Sequence, residues 1–189
     1  MEGSSSSCLR DHFLLAMPGL DEGIFSGSFT YICEHGEAGA MGLVINQALD
    51  LSLHEIFEHL DIPVRAGVPD REVLAGGPVQ IDHGFVLHRD DRERWDSTLK
   101  ITSNIRLTTS QDILKALAAG DGPEDFLVTL GYAGWSAGQL EEEIAGNSWL
   151  TLPADQEIIF GTACEERVAR AASSLGIDMN LLTAEAGHA

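Results

Sequence analysis

Two apolar, β-rich runs, residues 28–34 and 41–46, are separated only by the turn region Glu34-His35-Gly36-Glu37-Ala38-Gly39. A parallel pair needs a crossover of about a dozen residues or more, so these strands are expected to form an antiparallel hairpin. Runs at 84–88 and 98–102 also follow each other with no helix between them. Strict strand–helix alternation is therefore excluded, and helices must segregate around an antiparallel or mixed sheet. The fold class is α+β. Further strands are expected at 12–17, 72–75, 125–131 and 157–161.

Four helices are expected. Residues 53–60 follow Ser52, with Glu55 in the capping-box position. Residues 111–119 follow Ser110 and stop at Gly120. Residues 137–145 follow Ser136, with Gln139 three residues on, and stop at Gly146. Residues 165–175 stop at Gly176. With 189 residues and 44% hydrophobic composition, one domain over 11–189 is expected. A Ser-rich segment, 1–10, has little to bury and is expected to be disordered.

Acidic residues number 30 against 11 basic, a formal charge of −19. The excess is even along the chain, and no basic arm offsets it. The most basic stretch, Arg89-Asp90-Asp91-Arg92-Glu93-Arg94, carries its own acids. Duplex binding rests on neutralising phosphates with Lys and Arg, so direct nucleic-acid binding is disfavoured. Attachment to anionic membranes is disfavoured for the same reason. The acid either keeps the protein soluble or docks a basic protein partner. The start of the chain shows no basic, apolar leader, so a cytoplasmic location is expected.

Three cysteines, Cys8, Cys33 and Cys164, stand far apart, which suits reduced thiols. His54 and His59 fall on different faces of their helix, and His83 and His88 on opposite faces of a strand. No metal site is expected, and no cofactor.

The matching stretches that resemble a known family run the length of the chain. They include His12-Phe13-Leu14-Leu15-Ala16-Met17-Pro18, Gly39-Ala40-Met41-Gly42-Leu43-Val44-Ile45-Asn46 and Gly76-Gly77-Pro78-Val79. They continue through Gly131-Tyr132-Ala133-Gly134-Trp135 and Gly138-Gln139-Leu140-Glu141 to Gly187-His188-Ala189. On these the chain resembles the AlgH/YqgE family over residues 11–189. The resemblance implies a bifurcated, partly barrel-like sheet flanked by helices. It implies no reaction, since the family has none established, but a regulatory role linked in one member to alginate exopolysaccharide production. Asn46-Gln47-Ala48 and Arg167-Val168 depart from the family pattern.

One constellation suggests catalysis. Gly134-Trp135-Ser136-Ala137-Gly138 matches the nucleophile elbow of serine hydrolases, between an expected strand and an expected helix. Asp178 and His188 follow in the order that such a triad would need. The competing reading has Ser136 capping the helix, with Gln139 completing the box. The leading expectation is a non-enzymatic interaction protein. The candidate binding residues are Gly76, Gly77 and Pro78, as a ligand cradle, and Gly134, Trp135, Gln139 and Glu141 around the glycine-rich loop. An exposed Trp135 would make a recognition hot spot, and a buried one would pack the helix.

Overall fold

The computed structural model describes residues 8–18 and 25–178. Among the described residues, ten strands and five α-helices build a mostly β, α+β domain. The strands are β1 (His12–Ala16), β2 (Phe29–Gly36), β3 (Gly39–Val44), β4 (Ala48–Ser52), β5 (Glu72–Ala75), β6 (Val79–Arg89), β7 (Thr98–Lys100), β8 (Ile105–Thr108), β9 (Phe126–Ser136) and β10 (Trp149–Pro153). The helices are α1 (Leu53–His59), α2 (Gln111–Ala119), α3 (Gln139–Ala145), α4 (Gln156–Phe160) and α5 (Arg167–Ser174).

The expected hairpin is β2–β3, in antiparallel register from Thr30↔Val44 to Gly36↔Gly39. The sheet runs β10-β1-β2-β3-β9-β6-β8-β7 and curls into a half-barrel. Its bifurcation lies on β9. The end of β9 pairs with β3, from Ala133↔Gly42 to Ser136↔Gly39. Its middle pairs in parallel with β5, at Thr129↔Leu74 and Leu130↔Ala75. β4 pairs with β5 and completes the second branch.

Both faces of the sheet are covered, which explains why β1 and β2 read as apolar runs without clean alternation. Phe13, Leu15, Phe29, Tyr31, Leu43 and Leu87 fill the concave side with α4 and α5. On the other side, α1 and α2 bring Leu53, Phe57, Ile113 and Leu117 against Val73, Val86 and Val128. There α3 adds Leu140 against Leu14, Ile32, Trp135 and Trp149.

One segment expected as a strand, 157–161, is a helix, and it raises the helix count to five. Asp155 caps α4, its carboxylate accepting from the Glu157 N–H at 2.8 Å. Ile158 and Ile159 are buried against the barrel. A three-residue apolar run fits one helical turn as well as a strand. Ser136 does not cap α3 as expected. It is the last residue of β9, and Gly138 holds the N-cap position at φ 78° with no side-chain cap. Half of the box survives, since the Ser136 N–H donates to Gln139 Oε1 at 2.9 Å. At α1 both bonds of the expected Ser52–Glu55 box form. Of the 1–10 segment, residues 1–7 lie outside the described residues. Leu9 is buried, and its N–H donates to His35 Nδ1 at 2.9 Å.

His88 on β6 is wholly buried. Its Nδ1–H donates to the Arg89 carbonyl at 2.9 Å, and Nε2 accepts from the Thr108 hydroxyl at 2.8 Å. Burial pushes its pKa down. The unfolded chain therefore takes up a proton near pH 6.5 that the folded chain refuses until lower pH. This contribution to stability is complete above pH 6.5 and is lost as pH falls through the depressed folded value. Urea titrations at pH 8 and pH 5 should show lower stability at pH 5, and His88→Gln should flatten that slope. An unchanged slope in His88→Gln would remove His88 from the account.

Candidate functional site

An open groove of 660 Å³ lies between α1, β6 and α2. Ligand and partner clefts commonly fall in the range of about 300–1,000 Å³. Helical spacing builds one wall. Leu53 and Phe57 turn to the core, which leaves Ile56, His59 and Leu60 facing the groove. Gln111 and Leu114 of α2 form the second wall, and Phe85, Val128 and Leu130 form the floor.

The rim comes from a wide bulge in β6. Val79 pairs with Tyr132 and Gly84 with Leu130, so residues 80–83 stand opposite the single residue Gly131. Gln80 takes φ 49° to make the turn. The bulge lifts Ile81 into solvent at 67% exposure, and Leu60 across the groove is 40% exposed. Single exposed apolar side chains are ordinary, but two beside an apolar groove mark a contact surface.

Two histidines stand among the polar groups of the lining, with Gln80, Asp82, Thr109 and Gln111. His59 Nδ1–H donates to the Glu55 carbonyl at 2.7 Å. His83 Nδ1 faces Asp82 Oδ1 at 3.0 Å, and this hydrogen bond holds the Asp82 carboxyl below the usual range. With Nδ1 protonated in each, both Nε2 atoms are left as acceptors. The groove therefore combines an apolar floor with acceptors and a carboxylate, and its lining holds no serine, cysteine or lysine.

The expected cradle Gly76-Gly77-Pro78 lies elsewhere, at the fork of the sheet. Gly76 N–H donates to the Leu130 carbonyl, and the Gly76 carbonyl accepts from Val44 N–H, each at 2.8 Å. A Cβ on Gly76 would lie 2.2 Å from the Gly131 oxygen, and one on Gly77 would lie 2.1 Å from the Tyr132 carbonyl carbon. These glycines let three strands converge. Pro78 is exposed at the start of β6.

Trp135 is buried and packs α3 against the sheet. Its indole N–H donates to Glu143 Oε2 at 2.9 Å, and that of Trp149 reaches the same oxygen at 2.8 Å. Gln139 Nε2 donates to Glu143 Oε1 at 2.9 Å. Glu141 accepts from His35 Nε2–H at 2.9 Å. Its own backbone N–H, then His35, lowers its carboxyl pKa. Gly134 is exposed on β9. Trp135, Gln139 and Glu141 are thus knit into the anchorage of α3.

The serine-hydrolase constellation does not assemble among the described residues. Ser136 is exposed and lies in β-sheet register with Gly39, without the positive φ of a strained elbow. Among the described residues its hydroxyl meets no histidine or carboxylate. Asp178 ends the described chain, and His188 lies outside the described residues. Cys33 and Cys164 are buried, and burial pushes both thiol pKa values up, while Cys8 is exposed. Such buried thiols are inert toward nucleophilic chemistry. No group of three metal-ligating side chains converges among the described residues. No helix among them is long and apolar enough to cross a membrane.

A family model described as AlgH-like matches residues 13–180. A UPF0301 protein of Saccharophagus degradans is 58% identical over 181 residues, which cover 96% of this chain and 89% of that protein. Another UPF0301 protein, of Thioalkalivibrio sulfidiphilus, is 51% identical over 186 residues, covering 98% and 100%. The solution structure of the AlgH protein from Pseudomonas aeruginosa matches with a TM-score of 0.78 and 48% identity, over 100% of both chains. A crystal structure from Corynebacterium diphtheriae, 18% identical with a TM-score of 0.64 over 86% of each chain, shares the fold.

Proposed function

The chain belongs to the AlgH-like family, and from that premise we propose that it is a non-enzymatic cytoplasmic regulatory protein whose groove takes a basic amphipathic segment of a partner protein. The observation that carries the reading is the apolar groove of 660 Å³, with Leu60 40% exposed in its lining and Ile81 67% exposed in the bulge whose Gln80, Asp82 and His83 line it. An amphipathic helix laid in such a groove uses apolar anchors at i, i+3, i+4 and i+7.

Charge selects the occupant. Glu55, Glu58 and Asp61 lie on or beside α1, Asp82 lies on the rim, and the whole chain carries −19. The two histidine Nε2 acceptors match Lys or Arg donors. An acidic field also speeds encounter with a basic partner and repels nucleic acid. An effect on exopolysaccharide gene expression would then run through the bound partner rather than through DNA.

The test is a photo-crosslinking residue at position 81 in the source cell, with the captured segment sequenced. A basic segment with helical apolar spacing is expected, its capture weakening as salt rises. Ile81→Asp and Leu60→Asp should each weaken binding about 30-fold, the loss of one hot-spot anchor. Both positions are exposed, so the fold should keep its stability within about 0.5 kcal/mol. A crosslink to an acidic segment, to a second copy of this chain, or to nothing would reject the proposal.

A further inference from the structure

The geometry points to a second binding site, for a small hydroxyl-bearing organic phosphate, in the pocket between the β6–β7 loop and β8. The pocket measures 520 Å³ and is lined by Asp90, Arg92, Glu93, Arg94, Trp95, Thr98 and Arg106. It shares no lining residue with the groove. Its volume suits a small metabolite.

Its charge is unusual for this molecule. Three arginines face two acids in the lining, within a chain that has 30 acids and 11 bases. One of the two acids is already engaged. Asp90 Oδ2 accepts from Arg106 Nη2 at 2.9 Å, and Asp90 Oδ1 accepts from the Arg92 N–H at 3.0 Å. Arg106 first, and the Arg92 amide next, hold the Asp90 carboxyl below its usual range. Among the described residues, the Arg92 and Arg94 guanidinium groups meet no carboxylate. Remote acids are screened over about 8–10 Å at physiological salt, so this local balance governs a bound anion.

Unmet hydrogen bonds define the ligand further. Arg106 Nε and Trp95 Nε1 are buried donors without a partner. Leaving such a donor unpaired costs about 1–3 kcal/mol, and native structures rarely tolerate two in one place. Two orphan donors and two free guanidinium groups call for a ligand rich in acceptor oxygens. A phosphate ester supplies three acceptor oxygens and suits the bidentate fork of arginine. Glu93, the second acid of the lining, carries a carboxylate that accepts no hydrogen bond among the described residues. A hydroxyl on the ligand would satisfy it, and inorganic phosphate offers no sugar-like hydroxyl for the purpose.

The three tryptophans make the test specific. Trp135 and Trp149 are hydrogen-bonded to Glu143, whereas the Trp95 N–H is free to report on the pocket. The ¹⁵N-labelled full chain is titrated with ribose 5-phosphate, ribose and inorganic phosphate, following the three indole N–H resonances. Ribose 5-phosphate is expected to move the Trp95 resonance saturably and leave the other two in place. Ribose alone should do nothing, and inorganic phosphate should bind at least tenfold more weakly. The exposed pair Arg92→Ala with Arg94→Ala should weaken the ester at least tenfold without changing the Trp135 and Trp149 resonances. A Trp95 resonance unmoved at millimolar ester would overturn the site. So would an equal response in the double variant. Equal affinity for ester and inorganic phosphate would overturn the hydroxyl-bearing ligand.

Discussion

Gly131→Ala is expected to destabilise the protein by about 2–5 kcal/mol. Gly131 stands at φ 76°, where a non-glycine residue costs about 1–2 kcal/mol. Its new Cβ would lie 2.3 Å from the Gly77 oxygen and 3.1 Å from the Val79 oxygen. Those atoms belong to backbone held in the sheet and cannot swing aside, so overpacking adds about 1–3 kcal/mol. The position also sets register. Val128 and Leu130 pack with α1 and α2, whereas Tyr132 packs inside the barrel, so alternation along β9 shifts at Gly131. In thermal unfolding each kcal/mol is worth about 2–4 °C for a chain of this size. Gly138→Ala is the control. Gly138 has a similar φ of 78° but open space around its Cβ, so only the conformational cost should appear. Equal losses in the two variants would show that the fork tolerates a methyl group and that only φ matters.

Gly131 also marks where sequence reading stops. The β2–β3 hairpin and the Ser52–Glu55 capping box were legible because both are local patterns in adjacent residues. The branch on β9 was not, because it depends on Gly76, Gly77 and Gly131 meeting across 54 or 55 residues of chain. In sequence, Gly76-Gly77-Pro78 reads equally well as a ligand cradle. Only the contact of each absent Cβ with another strand separates close approach from recognition. The helix at Gln156–Phe160 had a signal that outweighed the apolar run, with Asp155 at its start and Gly161 at its end. The strands β4, β8 and β10 are four or five residues long, too short for periodicity to rise above background.

The groove was less legible than the fold. Its lining comes from four separate stretches of chain, and none carries a motif. Ile81 sits in a run that alternates as any strand might, and nothing in it announces a bulge of residues 80–83 against one glycine. The Gly-x-Ser-x-Gly match was conspicuous in sequence because a motif ignores backbone conformation. In the fold Ser136 lies in flat register with Gly39, and the elbow is absent.

Glu143→Ala is expected to cost about 2–6 kcal/mol, although the residue is only half-buried and lies on a seven-residue helix. One carboxylate oxygen accepts from both indoles, of Trp135 at 2.9 Å and Trp149 at 2.8 Å. The two rings meet edge to face, with centroids 6.0 Å apart, and Phe25 stacks on the first at 6.2 Å. Removing the carboxylate strands two partly buried donors, each worth about 1–3 kcal/mol, that the packed rings cannot turn toward water. It also releases Gln139 and loosens α3, whose N-cap has no side-chain bond. Glu143→Gln keeps one carbonyl oxygen for the indoles but loses the charge that strengthens both bonds, so about half the loss is expected. Urea unfolding gives the magnitude, and the indole N–H resonances give the cause. Both should move in Glu143→Ala, whereas the Trp95 resonance stays. A variant within about 0.5 kcal/mol of the parent, with both resonances shifted, would show that water replaces the carboxylate and that ring packing alone anchors α3.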